Sequence, residues 1–222
     1  MGKFVQLKAS DGHQFDAYVA EPSGKPRGLV VIAPEIFGVN SHIQSVTDGY
    51  AQDGYLSIAP AFFDRAQRKY DAGYTQPDIA AGVDIMKKVS FDHVMLDVAA
   101  ALEYGKSAGK AGIVGYCWGG VIAWLAAGRV AGLSCSAPYY GGAIPSFLKE
   151  TPTCPVMFHF GETDHSITLE QAKVVAAAYP KEQSFFYPAG HGFNCDQRGS
   201  YDAASAKLAR ERTVELLRKH VG

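Results

Sequence analysis

Cys117 lies in Gly115-Tyr116-Cys117-Trp118-Gly119-Gly120, directly after the apolar pair Ile113-Val114. The spacing is that of a nucleophile on a sharp strand-to-helix turn, G-x-S-x-G with sulfur in place of the serine oxygen. The two glycines have a steric job: a turn that lifts a side chain clear of its strand leaves no room for Cβ atoms two residues before and after it. A thiol at the start of a helix also meets the positive end of the helix dipole, which favours thiolate over thiol. An inert cysteine beside a glycine-rich turn is the bland reading of the same residues.

Such a nucleophile needs a base and an acid that orients the base, in the chain order nucleophile, acid, histidine. Asp164, in Gly161-Glu162-Thr163-Asp164-His165, and His191, in Gly190-His191-Gly192-Phe193, each follow a stretch that reads as a strand. Glu162 is a rival acid and His165 a rival base. His13, His42, His93, His159 and His220 lie ahead of the acid, inside an element or at the terminus, and are read as packing or solvent-facing residues. No HxxxH, HxH or paired-cysteine spacing suggests a metal site, so neither metal nor cofactor is expected.

Glu35, in Pro34-Glu35-Ile36-Phe37-Gly38-Val39-Asn40, ends another apolar run, residues 29–33. A carboxylate there is costly without a partner. Close to Cys117 it could accept the thiol's proton or a hydrogen bond; as an ordinary loop residue it would be solvated or salt-bridged. The backbone N–H groups of Ile36 and Trp118 are then candidates for an oxyanion hole, one from each loop.

The elements that must position these residues follow from periodicity. Residues 4–8 and 15–19 flank Asp11-Gly12, a hairpin turn pair. The apolar run 29–33 precedes helical spacing at Ile43, Val46 and Tyr50 that stops at Gly54. Strand and helix then alternate: strand 55–59, a helix begun by Pro77 with Ile79, Val83 and Met86, another with Val94, Val98 and Leu102, strand 111–114, helix 119–127. Strands follow near 133–139, 156–160 and 184–187, with a helix over 168–179 carrying Thr168 and Gln171 at capping-box spacing. A last helix covers 201–220. Residues 62–76 show no clear period and read as a long loop, of the kind that forms a lid or pocket wall. The alternation predicts an α/β fold: a mostly parallel sheet, helices on both faces, reactive groups at strand carboxyl ends, and an N-terminal hairpin.

With 222 residues, 47% hydrophobic and 19% charged, the chain can bury a large core. One domain spanning 1–222 is expected. Charge is nearly balanced, 21 basic against 22 acidic residues, with no basic stripe for nucleic acid or an anionic membrane. The first 13 residues hold no apolar run of signal-peptide length, and nowhere do about 20 apolar residues run together. The four cysteines form no CxxC pair and sit among apolar neighbours, so reduced thiols in the cytoplasm are expected.

Taken together, Pro-Glu-Ile-Phe-Gly-Val-Asn at 34–40, Gly-Tyr-Cys-Trp-Gly-Gly at 115–120, Asp164 and Ala-Gly-His-Gly-Phe at 189–193 resemble the dienelactone hydrolases (carboxymethylenebutenolidases) of the α/β-hydrolase superfamily, over essentially the whole chain. The resemblance implies a Cys117–His191–Asp164 triad that cleaves small lactones or esters through a thioacyl-enzyme. It also implies that Glu35 takes the thiol proton when substrate binds, and that no cofactor or metal is used. The two arginines that anchor the substrate carboxylate in the family's best-studied type are absent, their positions being Ala81 and Cys195. Arg198, Arg65 or Arg68 could substitute, and Phe37, Phe193 and Arg198 are the expected pocket residues. If Arg198 does not reach the pocket, neutral lactones or aryl esters should be preferred to anionic dienelactones. A general carboxylesterase or thioesterase with the same triad remains open, as does a non-catalytic small-molecule-binding protein of the same fold. A small ester or lactone is the expected partner, and a monomer or small homo-oligomer the expected state.

Overall fold

A computed structural model describes residues 2–222. The Asp11-Gly12 pair turns the chain as expected, with Gly12 at φ +88°. It joins β1 (Lys3–Lys8) to β2 (Gln14–Ala20), antiparallel, with Leu7 opposite Phe15. Six further strands follow: β3 (Leu29–Ala33), β4 (Leu56–Pro60), β5 (Ala111–Tyr116), β6 (Leu133–Tyr139), β7 (Met157–Gly161) and β8 (Gln183–Tyr187). The eight form one sheet in the order β1-β2-β4-β3-β5-β6-β7-β8. Strands β3 to β8 run parallel, and in the N-terminal hairpin β2 runs against them while β1, antiparallel to β2, runs with them.

Six α-helices cover the sheet: α1 (Ser41–Gln52), α2 (Gln76–Met86), α3 (Phe91–Gly105), α4 (Trp118–Arg129), α5 (Leu169–Ala178) and α6 (Ala203–His220). Their distribution follows from the pleat of the central strand, whose alternate side chains point to opposite faces. Leu29, Val31 and Ala33 join a core with residues of α2, α3, α4 and α5, while Val30 and Ile32 join a second core with residues of α1 and α6. All five residues of β3 are buried, as a strand covered on both sides requires. None of the helices among the described residues is long and apolar enough to cross a membrane.

Helix starts are set by side chains. Asn40 caps α1 by accepting from the Ile43 N–H, and Thr168 with Gln171 forms the expected capping box on α5. Asp202 caps α6, which begins at Ala203, two residues later than periodicity alone indicates.

Residues 62–76 are more ordered than their lack of period suggests. Phe62–Arg65 forms a turn of 3₁₀ helix, and Asp71 bridges Gly38. The Ala72 N–H donates to the Phe37 carbonyl at 3.1 Å, and Asn40 Nδ2 donates to Ala72 O and to the Tyr74 hydroxyl. Backbone bonds to the segment 34–40 supply the order that side-chain periodicity does not signal.

Candidate active site

The carboxyl ends of β3, β5, β7 and β8 lead into Glu35, Cys117, Asp164 and His191 respectively. Cys117 itself has φ +56° and ψ −115°, a conformation unusual for any residue but glycine. The turn is held there from several sides. The Cys117 N–H donates to the last carbonyl of β6, Tyr139 O, at 3.0 Å. A Cβ on Gly115 would collide with the Gly119 carbonyl, and one on Gly119 with the Ala33 carbonyl, so the two glycines let three backbone segments close on one another.

Cys117 Sγ lies 3.0 Å from His191 Nε2, and His191 Nδ1 lies 2.9 Å from Asp164 Oδ2. The other Asp164 oxygen accepts from the N–H groups of Ser166 at 2.6 Å and Ile167 at 3.2 Å, so the buried carboxylate is satisfied on both oxygens. Burial pulls the His191 imidazole down. The adjacent Cys117 charge, the hydrogen bonds to Asp164 and Cys117, and the Asp164 charge outweigh burial and raise it to about 10. Tyr140, at φ +38° and fully buried, sets its ring edge-to-face on His191 with centroids 5.2 Å apart. The rival pair is elsewhere in character: Glu162 and His165 are both exposed.

On the other side of the thiol the partners differ. Glu35 is buried and receives a hydrogen bond from Arg198 Nη1 on Oε1 at 2.9 Å, while Oε2 has no partner among the described residues. The Arg198 guanidinium also lies 5.6 Å from the Phe37 ring centre and 5.9 Å from that of Tyr74. Gly192, at φ +78°, makes room for it, since a Cβ there would strike the guanidinium. The Ile36 and Trp118 amides face no protein acceptor among the described residues. Trp118 is fixed by Phe62, Phe63 and Phe91, with ring centres 5.0–6.3 Å away.

A family model described as the dienelactone hydrolase family matches residues 15–221. This chain belongs to the dienelactone hydrolase family. As a member it is a hydrolase of ester or lactone bonds. The carboxymethylenebutenolidase of Pseudomonas putida is 30% identical over 236 aligned residues, covering 96% of this chain and 94% of that protein. Carboxymethylenebutenolidase 1 of Cupriavidus pinatubonensis is 28% identical, covering 96% and 95%. Among solved structures, a dienelactone hydrolase-like promiscuous phosphotriesterase from metagenomic libraries superposes with a TM-score of 0.81 at 19% identity, over 100% of this chain and 99% of that one. That likeness shows the α/β fold.

One expectation about this pocket, that for Phe193, needs correcting, and the surroundings of Glu35 and Arg198 are now defined. Glu35 is bonded to Arg198, and the group in contact with the thiol is His191. Phe193 does not line the cavity at Cys117: the turn at Gly192 sends its ring into the core, fully buried against Tyr139, Tyr140 and Tyr187. Arg198 does reach the pocket, so the condition for an uncharged wall is not met. The other two arginines are engaged elsewhere, Arg65 with Asp97 and Asp11, Arg68 with the Gln14 carbonyl, Asp16 and Asp64. Ala81 is exposed on α2.

The cavity at Cys117 has a volume of about 430 Å³. Its apolar wall includes Phe37, Trp118 and Val121 together with Ile79, Val83 and Met86 of α2. Those three α2 residues carry a helical spacing legible in the sequence, yet periodicity does not tell a stripe that faces a core from one that faces a cavity. Tyr140 and Tyr74 were not singled out by spacing either. Their signal is positional: Tyr140 directly follows β6 at its carboxyl end, where this fold puts its chemistry.

Proposed function

We propose that this protein hydrolyses small esters or lactones with Cys117 as nucleophile, His191 as base and Asp164 as the group that orients the base. The observation that carries the reading is the unbroken row Sγ–Nε2 at 3.0 Å and Nδ1–Oδ2 at 2.9 Å at the edge of an apolar cavity. With the proton held on His191 Nε2, the Cys117 thiolate attacks the substrate carbonyl carbon. The carbonyl oxygen becomes an oxyanion that the Ile36 and Trp118 amides stabilise. Collapse breaks the C–O bond, and the leaving oxygen takes the proton back from His191. A water, deprotonated by His191, then attacks the thioester carbonyl. Collapse of that second oxyanion releases the acid and restores the Cys117 thiolate beside protonated His191. Asp164 holds Nδ1–H through both halves, and its two backbone donors keep it from turning away.

The substrate class follows from the walls. Arg198 is the arginine lining the cavity, and Glu35 already balances it, so that pair is neutral as a unit. An anionic substrate must compete with a buried carboxylate for one guanidinium, whereas an uncharged one leaves the pair intact and buries its apolar part on α2. Neutral lactones and aryl esters are therefore the preferred substrates. The natural setting of this reading is one catalytic domain over residues 1–222, cytoplasmic, acting on a small ester and on neither nucleic acid nor membrane.

The test compares kcat/KM for an anionic dienelactone and its methyl ester, in a panel with aryl esters and thioesters, for the native protein and its Cys117→Ala variant. The methyl ester should be turned over more efficiently and the variant should lose nearly all turnover. A salt-sensitive preference for the anion that vanishes in Arg198→Ala contradicts the substrate assignment. Native turnover in folded Cys117→Ala contradicts the nucleophile.

A further inference from the structure

Outside the Cys117 cavity, His42 Nδ1 in the first turn of α1 lies 3.0 Å from Asp196 Oδ1 in the segment after His191. Cys195 completes a group in which one donor atom each from His42, Cys195 and Asp196 lies within 4.8 Å of the other two. The same two segments are joined a second time by Ser41 Oγ and Gln197 Oε1 at 3.1 Å, so the three side chains are held in place by the fold around them. His42 and Cys195 are buried and Asp196 is exposed. His42 Nε2 is buried with no hydrogen-bond partner among the described residues. A cavity of about 300 Å³, lined by His42, Ser45, Asn194 and Asp196 among others, gives an ion and a water a way in.

We propose that His42, Cys195 and Asp196 bind one divalent ion of the zinc class. The donor set decides the class. Thiolate, imidazole and carboxylate together suit zinc, whereas calcium and magnesium want oxygens alone. Donor atoms at about 2.0–2.3 Å from a tetrahedral zinc stand roughly 3.3–3.8 Å from one another, a spacing the group reaches with small side-chain movements. On binding, Cys195 releases its proton to solvent and the His42–Asp196 hydrogen bond is replaced by two bonds to the metal. Thiolate and carboxylate balance the ion's two charges, and water from the cavity takes the fourth position. Because a proton leaves, affinity rises with pH. The Arg198 N–H donates to the Cys195 carbonyl at 3.1 Å, so the ion would also fix the turn that carries Arg198. The proposal is independent of the roles assigned to Cys117 and His191.

The experiment is a cobalt(II) titration of the full-length Cys117→Ala protein, in which the active-site thiol cannot contribute a signal. One equivalent should produce the near-ultraviolet thiolate-to-cobalt band and the intense visible bands of a tetrahedral site, and zinc should displace it. Cys195→Ser on that background should abolish the thiolate band. Asp196→Asn, on an exposed side chain, should weaken cobalt binding about tenfold or more. Absence of any band overturns the proposal, as does a band that persists in Cys195→Ser, which would then arise from Cys135 or Cys154. If Cys195→Ser fails to fold by circular dichroism, unchanged cobalt affinity in Asp196→Asn overturns it instead.

Discussion

His159 and His191 are both largely buried imidazoles with both ring nitrogens in contact with a partner, and their chemistry differs completely. His159, in the middle of β7, has Nδ1 2.8 Å from the Tyr187 hydroxyl and Nε2 3.0 Å from Thr213 Oγ1. Its ring packs on Tyr139 with centroids 4.2 Å apart. Its partners are uncharged, so burial pulls it down to about 3, assisted by the Arg212 charge. His191 suffers the same burial but stands between a thiol and a carboxylate, which hold it up at about 10. Burial alone makes a histidine an inert packing group. Ionisable partners within about 3 Å turn it into a proton carrier, the character a base needs.

The comparison breaks hardest at Asp164. Asp164→Asn keeps the shape but removes the charge that orients His191, and should lower kcat by about three to four orders of magnitude. NMR titration of the variant should place the His191 imidazole well below its native value. A kcat within tenfold of native would mean that Asp164 does not serve His191.

His159→Phe tests the other half. It strips a partner from both Tyr187 and Thr213 in the core and should cost about 2–4 kcal/mol in urea unfolding. Turnover per folded molecule should stay within about threefold of native. A large loss of kcat with native stability would reverse the roles of the two histidines.

A pH series sharpens the same point. In the unfolded chain His159 binds a proton below its ordinary 6.5, while in the folded protein it does so only near 3. Between those values the unfolded state holds more protons, so stability falls as pH falls, by up to about 1.4 kcal/mol per pH unit from this group. His159→Phe should lose that slope in denaturation curves taken from pH 6.5 to 4.

The smallest effect concerns the Glu35–Arg198 pair. Glu35→Gln leaves Arg198 without its counter-charge, and the ratio of kcat/KM for an anionic dienelactone over its methyl ester should rise by about tenfold, the worth of one partly screened charge. Turnover of the neutral ester should fall at the same time. An unchanged ratio would remove Glu35 from substrate choice.

Much of this site was legible in the sequence because its parts are local. The turn at Cys117 is written in two glycines with a strand before and a helix after, and Asp164 and His191 each sit one short loop beyond a strand that the apolar runs mark. What escaped reading depends on backbone direction and long-range contact. Its place close to His191 in the chain points Phe193 to the pocket, but a single positive φ at Gly192 turns it inward. Spacing leaves the place of Arg198 open, because its reach to Glu35 is set by the loop between Gly192 and the capped start of α6. The order of residues 62–76 comes from hydrogen bonds to Phe37 and Asn40, distant in sequence. His42 read as a packing or surface residue, and nothing in its neighbours announces Cys195 and Asp196.

The central claim is that a bond forms between Cys117 sulfur and the substrate's acyl carbon. Rapid acid quench of the native protein during turnover of a slowly hydrolysed aryl ester, followed by proteolysis and mass spectrometry, tests it directly. The account predicts the acyl mass on the peptide that contains Cys117, at a level that rises when Asp164→Asn slows the water step more than the attack, and its absence in Cys117→Ala. An acyl group on another residue, or full turnover with none on any cysteine, would contradict it.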